Sequence, residues 1–354
     1  MKLFFFTKYN RSGASSRYRS FQYQPAIHAA GLEIDVSTLF DDAYLKYKYL
    51  HGRARLRDIF RSFGRRLWRV LAVQRGTVVF IEYELMPYCP PLMEWWLSWR
   101  GCQMVVDYDD ALFHQYDNHI SAWVRRILGK KIATVMRMAS TVIVGNEYLA
   151  NYARLESVAR VVVIPTVVDL TKYRVKEVES ASGVFTIGWI GSPSTARYLN
   201  ELAPALAQVC KGGRARVCLV GSGQINLPDV PVEVIDWHED TEVDEIRRFD
   251  VGIMPLPDEP WSRGKCGFKL IQYMACGLPV VASPVGCNSE IVDDGLCGYL
   301  STTTDEWVLA LEALMADAGL RFQMGAAGRK RVEEKYCLAV TAPKFVKLLK
   351  QCAA

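Results

Sequence analysis

The sequence is short of several features that would assign its class at once. No apolar run is long enough to span a bilayer. The N-terminal run Leu3 to Phe6 is too short for a spanning helix or a signal-peptide core, and reads as a first buried strand. There is no CxxC and no Cys/His pairing at zinc spacing among the ten cysteines, which argues against a structural zinc and a disulfide framework. Several cysteines sit inside apolar runs such as "ARVCLVG" and "MACGLPVVA", where a free thiol behaves as a small hydrophobe. A reducing, cytoplasmic setting is expected. The formal charge of +5 over 354 residues is modest, and no nucleic-acid-binding motif accompanies it.

Half of the residues are hydrophobic, enough for two domains with real cores. Short apolar runs alternate with helical-period segments, the pattern of parallel α/β units. In the first half these runs are "KLFFF", "LEIDVSTLF", "TVVFIEYE", "QMVVDYDD", "STVIVGNEY" and "ARVVVIPTVVD". The second half continues with "FTIGWIGS", "ARVCLVGSG", "PVEVIDW", "FDVGIMPLP" and "LPVVASPVG". The polar stretch between the halves predicts a domain at 1–169, a linker at 170–183 and a second domain at 184–338. A helix at 339–354 is expected to pack back on the first domain. Ligands of such sheets bind beyond the carboxyl ends of the strands, so a cleft between two facing Rossmann-like domains is the expected site.

Two stretches read as phosphate-binding. In "FTIGWIGSPSTARYLNEL" a strand ends at Gly191, with Ser192 as N-cap and Pro193 at the first helical position. That places Ser194 and Thr195 at a helix N-terminus suited to an anion, with Arg197 nearby. An ordinary well-capped strand–turn–helix fits the same residues. In "SRGKCGFKLIQYMACGLPVVASPVGCNSEIV", Gly267 and Phe268 open a helix carrying Lys269. Arg263, Lys265 and Lys269 gather near it, as a diphosphate leaving group requires. After the first strand, "NRSGASSRYRS" offers Gly13, where the backbone can come close to a ligand, followed by Ala14. Ser15, Ser16, Arg17 and Arg19 supply donors.

The stretch from Phe249 to Gly298 resembles the donor-binding signature of family-4 retaining glycosyltransferases of the GT-B fold. "FKLIQYMACGLPVVASPVG" is similar to the segment carrying that family's paired glutamates. "IGWIGSPST" and "IPTVVDLTKY" match other landmarks in order. The resemblance implies a metal-independent, retaining transfer of a sugar from a UDP- or GDP-sugar to a saccharide or lipid-linked glycan, in bacterial cell-surface polysaccharide or lipopolysaccharide assembly. It implies no cofactor and no bound metal. Gln272 aligns with the glutamate that holds the donor ribose, and the other glutamate position falls near Gly264. The resemblance carries a diphosphate role onto Lys269, a place near the donor onto Glu290, and a base-facing place onto Trp237. The missing acidic pair keeps open a catalytically degenerate, donor-binding assembly partner, and a GT-B epimerase is a further alternative.

"MVVDYDDALFHQYD" ends a strand with Asp107, Asp109 and Asp110, followed by His114. "DYD" also resembles the metal-binding D-x-D of GT-A enzymes, but such an enzyme would not need a second Rossmann-like half with donor landmarks. Asp109, Asp110 and His114 are therefore the acceptor-side candidates, with Lys269 and Arg263 as leaving-group stabilisers. An aspartate at a strand end can equally cap the next helix. Glu84, Asn146 and Glu147 end neighbouring strands and rank lower.

Residues 53–71, "RARLRDIFRSFGRRLWRVL", form an amphipathic helical pattern. Leu56, Ile59, Phe60, Phe63, Leu67 and Leu71 repeat at helical spacing. Arg53, Arg57, Arg61, Arg65, Arg66 and Arg69 fill the remainder. Tyr44, Lys46, Tyr47, Lys48 and Tyr49 precede them. Two readings stand: a core-facing helix with a solvated basic face, or a helix of residues 44–71 that meets an anionic membrane on the inner face of the plasma membrane.

Overall fold

The computed structural model describes residues 2–157, 159–176 and 183–353; residues 177–182 of the expected linker lie outside them. The chain forms two compact units. The first comprises Met1–Thr166, Gly264–Cys266 and Thr341–Ala354, and the second Val167–Arg263 and Gly267–Val340.

Unit 1 is built on a six-stranded parallel sheet of order β2-β1-β3-β4-β5-β6. Its strands are β1 (Lys2–Tyr9), β2 (Glu33–Phe40), β3 (Val78–Glu82), β4 (Gln103–Tyr108), β5 (Thr141–Val144) and β6 (Arg160–Val163). Helices cover both faces, so an inner strand such as β3 is buried along its whole length and reads as a continuous apolar run. Phe5 stacks on Phe80 at 4.6 Å, and Phe345 of the last helix, Leu338–Ala353, meets Phe80 edge-on. Each such ring taken out of water is worth about 1.5–3 kcal/mol.

Unit 2 repeats the plan with order β12-β11-β10-β7-β8-β9, also parallel. Its strands are β7 (Phe185–Ile190), β8 (Ala215–Val220), β9 (Val232–Ile235), β10 (Val251–Met254), β11 (Val280–Ala282) and β12 (Gly298–Leu300). The apolar runs of the sequence fall on β1 to β11. Strand β12 lies outside them, because its residues Gly298–Leu300 and their neighbours form no continuous apolar run.

Each sheet reverses direction once. In unit 1 the chain steps from β1 to β2 and then returns past β1 to β3. In unit 2 it runs β7, β8, β9 and then returns past β7 to β10. The carboxyl ends of β1 and β3, and of β7 and β10, are therefore the topological switch points, where open α/β sheets bind ligands.

Candidate functional site

At the switch point of unit 1 the loop after β1 folds tightly back. A methyl group on Gly13 would lie 2.4 Å from Tyr9 Cβ, so only glycine fits. The turn opens the helix Ala14–Arg19. Ser16 Oγ accepts from the Tyr9 amide at 3.0 Å and donates to the Glu82 carboxylate at 2.7–2.8 Å. Glu82 also accepts from the Lys8 amide. It is 1 % exposed, and burial pushes its carboxyl up to about 8, the desolvation outweighing those hydrogen bonds.

Arg19 is not an open donor. Its guanidinium makes a two-pronged pair with Asp107 and donates to the Ile164 carbonyl at 2.6 Å. Both partners are buried. Burial raises the Asp107 carboxyl, and Arg19 opposes that rise. Arg17 is buried too, its guanidinium 4.7 Å from the Tyr18 ring, rather than extended from the loop as an exposed donor. Ser15 does reach the strand ends, 3.1 Å from Tyr83 Oη, while Ala14 is exposed.

Tyr83 directly follows β3 with φ of 62°, a left-handed conformation that a bulky residue adopts only under constraint. That turn directs its hydroxyl onto Asp109, to which it donates. The Lys8 ammonium lies 5.1 Å from the Tyr83 ring. Asp110 pairs with Lys265 at 2.9 Å; burial raises its carboxyl and Lys265 lowers it. Lys265 is thus held by a carboxylate of its own unit. Cys266 Sγ donates to the Asp109 carbonyl, and Asn146 Nδ2 to the carbonyls of Gly264 and Lys265. A methyl on Gly264 would fall 2.4 Å from Ala111 Cβ. Gly264, near which the resemblance places a glutamate, has no room for a side chain of its own.

His114 was expected beside these aspartates as an acceptor-side candidate. Its Nδ1 instead meets Asp117 at 3.0 Å and its Nε2 meets Tyr148 Oη at 2.9 Å. With both ring nitrogens engaged, it braces the short helix His114–Asp117, and proton transfer through it would require breaking one of these bonds. Among the described residues no group of three or more His, Cys, Asp or Glu is placed to hold a metal ion.

At the switch point of unit 2, β7 ends at Gly191. The expected single helix from Pro193 is broken: Pro193–Ala196 is four residues long, and a second helix starts at Leu199. Ser192 occupies the N-cap but its hydroxyl makes no capping bond; it pairs with Ser194 Oγ at 2.8 Å. Thr195 Oγ1 donates to the Ser192 carbonyl. So short a helix sums few peptide dipoles, which weakens the anion site expected there. Arg197 is exposed and lies along Tyr198, its guanidinium 5.2 Å from that ring.

The cation next to Gly191 is Lys269. It belongs to the helix Phe268–Ala275, which begins at Gly267 in the left-handed region. Its Nζ stands 5.1 Å from the Trp189 ring, and a methyl on Gly191 would strike its Cε at 2.8 Å. Arg263 forms a two-pronged pair with Asp258, at 2.6 and 3.0 Å, on its own loop. Glu290 is exposed on the short helix Asn288–Ile291.

Gln272 differs most from its expected role. It is 4 % exposed, and its Nε2 donates to Tyr173 Oη at 2.9 Å and Glu242 Oε1 at 3.0 Å. Glu242 Oε2 in turn accepts from Trp237 Nε1 at 2.7 Å. Gln272 is thus a buried strut in this network, and Glu242 pins the Trp237 indole beside Gly221. Asn288 is fully buried; its Nδ2 donates to the Ser283 carbonyl, and its Oδ1 has no partner. Two surface hollows, of about 690 and 750 Å3, open at the opposite, amino-terminal ends of strands, around Arg214 and around Lys2 and Gln103.

Residues 184–317 match the family described as glycosyl transferases group 1. Over that stretch the chain is similar to the family, and the match covers well under half of the chain. Its β7-to-β12 sheet, with Lys269 beside Gly191, lies inside that match. A D-inositol 3-phosphate glycosyltransferase of Geodermatophilus obscurus is 32 % identical over 123 residues, 33 % of this chain and 25 % of that protein. The chain thus spans about a quarter of that relative's length. Sucrose-phosphate synthase from Thermosynechococcus elongatus aligns over 99 % of this chain and 98 % of its own, with a TM-score of 0.73 at 17 % identity. Anabaena HepE in complex with UDP aligns over 99 % and 100 %, with a TM-score of 0.69 at 16 % identity. The fold is GT-B.

Sequence reasoning missed Glu82, Tyr83, Glu242 and Asn288 around the two switch points. Glu82 carried a signal, as an acid closing the apolar run "TVVFIE", where a charge is out of place unless it is held. Tyr83 and Asn288 carried none.

Proposed function

We propose that the protein is a retaining glycosyltransferase that takes a sugar from a UDP- or GDP-sugar and needs no metal. The single observation that carries this reading is Lys269 against Gly191 at the switch point of unit 2, inside the family match. It sets one ammonium beside bare backbone, where a diphosphate can approach closely. The solved complex of HepE with UDP-glucose supports a nucleotide-sugar donor.

In the proposed reaction the bond from the anomeric carbon to the diphosphate oxygen breaks as the bond to the acceptor oxygen forms on the same face. The acceptor proton passes to the departing diphosphate. Lys269 offsets the charge that grows there. On unit 1, Asp109, oriented by Tyr83, is the group we assign to an acceptor hydroxyl. The acceptor is a saccharide or lipid-linked glycan of a cell-surface polysaccharide. Ten free thiols, eight of them buried, support a reducing cytoplasm.

The test is thermal stabilisation by UDP, GDP and their sugars, with and without EDTA, followed by donor turnover with mixed acceptors. Saturating the right nucleotide at a hundredfold excess over Kd adds about 2.7 kcal/mol. Lys269→Ala should remove most of that shift and lower turnover about 100-fold or more. A shift abolished by EDTA would overturn the metal-free reading. A second reading, a nucleotide-sugar-binding partner without turnover, is favoured by the buried Gln272 and the crowded Gly264. Tight binding with no transfer to any acceptor would establish it in place of the first.

A further inference from the structure

The helix Leu56–Leu71 turns Ser62, Arg66 and Val70 inward, with Ile59 and Phe63 partly buried beside them. Arg66 therefore does not belong to the surface charge; its guanidinium is buried and donates to the Thr7 carbonyl at 2.5 Å. Leu56, Phe60, Leu67 and Leu71, four or seven residues apart, form an apolar stripe exposed to solvent. Trp68 stands beside it, and Arg57, Arg61 and Arg65 line its flank.

Two further helices extend this face. On Leu92–Trp99, Trp95 and Trp99 are exposed; on Ala122–Leu128, Trp123 and Ile127 are. The connections β2 to β3, β3 to β4 and β4 to β5 all step in one direction across the sheet. Right-handed crossovers therefore place these three connections on one side of it; there Leu92–Trp99 packs on Leu56–Leu71 and on the helix Lys131–Met138, which Ala122–Leu128 precedes in the chain. Arg75 lies 5.5 Å from the Trp99 ring, and Tyr88 meets His119, just ahead of the third helix, edge-on. Four of the protein's nine tryptophans stand on this side with 57–73 % of their surface exposed. The three helices hold one exposed or half-buried acid, Asp58, since Glu94 is buried. The tyrosine-rich segment ahead of them contributes less than the sequence implied, because Tyr44 is buried against Phe40.

We infer that this face of unit 1 docks on an anionic lipid bilayer. Tryptophan combines an apolar ring with a donor N–H and concentrates at the level of the headgroups. A helix with leucine and phenylalanine on one stripe and arginine beside it lies in the plane of that interface. Arginines in that position gain from an anionic leaflet. The exposed charge of the three helices is almost all of one sign, the sign an anionic leaflet attracts. The inference rests on exposure and charge in unit 1 and is independent of the transfer reaction.

The test is flotation of the full chain with vesicles of phosphatidylcholine mixed with phosphatidylglycerol, against phosphatidylcholine alone. Tryptophan emission and sedimentation of the lipid-free protein are recorded alongside. The expected result is salt-sensitive binding to the mixed vesicles with a blue shift. Arg57→Ser with Arg61→Ser should weaken it about thirtyfold, and Trp68→Ser with Trp95→Ser and Trp123→Ser should abolish the shift. All five positions are exposed, and an unchanged melting temperature shows that the variants fold. No binding to the mixed vesicles, or binding unaltered in both sets of variants, overturns the inference. So does self-association that the tryptophan variants abolish while lipid binding is absent, which would assign the face to a second copy of the chain.

Discussion

The two switch points are built from different materials. In unit 2 the strand end is backbone and glycine, with one ammonium, Lys269, laid over Trp189. In unit 1 the equivalent strand ends are crowded with ionisable groups that satisfy each other: Arg19 with Asp107, Ser16 with Glu82, Tyr83 with Asp109, Lys265 with Asp110. In the proposed reaction the diphosphate is common to UDP- and GDP-sugars, so a short local segment of chain would suffice to meet it. The proposed acceptor hydroxyl carries no charge, and holding it would fall to groups whose own charges are first compensated. The lesson is that a perturbed carboxylate at a strand end is not by itself an acid–base catalyst; here most of them are structural pairs.

Breaking the strongest of those pairs should have the largest effect. Arg19→Ala leaves Asp107 buried without its partner, and about 3–5 kcal/mol of stability should be lost, measured by urea unfolding. Adding Asp107→Asn should recover part of it, because the uncompensated charge is removed. If Arg19→Ala costs nothing, the pair is not the strut described here and the contrast between the units fails.

The same contrast can be sharpened in unit 2 by introducing the acid that the resemblance places at position 272. Gln272→Glu sets a second carboxylate against Glu242 in a buried network. The new carboxyl has a raised folded-state pKa, since burial and a like charge both disfavour ionisation. Stability should therefore fall as pH rises above the ordinary glutamate range and return on acidification, with a loss of about 1–3 kcal/mol at neutral pH. A pH series of melting temperatures that runs parallel to the parent would refute this account of Gln272.

A smaller and more graded effect is expected from Glu82. Its folded pKa of about 8 lies above the ordinary 4.5, so the folded state holds a proton that the unfolded state has released. Stability should decline as pH rises between these two values and level off above, at no more than about 1.4 kcal/mol per pH unit. Glu82→Gln should flatten that slope while leaving stability near pH 4 almost unchanged.

Much of this was legible in the sequence. Apolar runs separated by helical periods predicted β1 to β11 and a doubly wound α/β chain, because strands covered on both faces carry no polar alternation. Gly191 and Lys269 were legible because a turn and a cation near a helix start are local signals. Residue pairings were not. Nothing near Gln272 announces Glu242, thirty positions earlier, and nothing near His114 announces Tyr148. The exposed tryptophans of two separate helices could not be added to the Leu56–Leu71 stripe without the strand order that puts them on one side.

By itself, then, the sequence determined which segments are strands, which turn needs glycine, and that two α/β halves follow one another, since each is set by steric and burial rules acting over a few residues. Only the tertiary structure decided which charges are spent on each other, that Gln272 is a strut, that Gly264 has no room for an acid, and which apolar stripe is left facing water. Those outcomes depend on contacts between residues far apart in the chain, where burial turns a modest surface interaction into a costly charge that must find its partner.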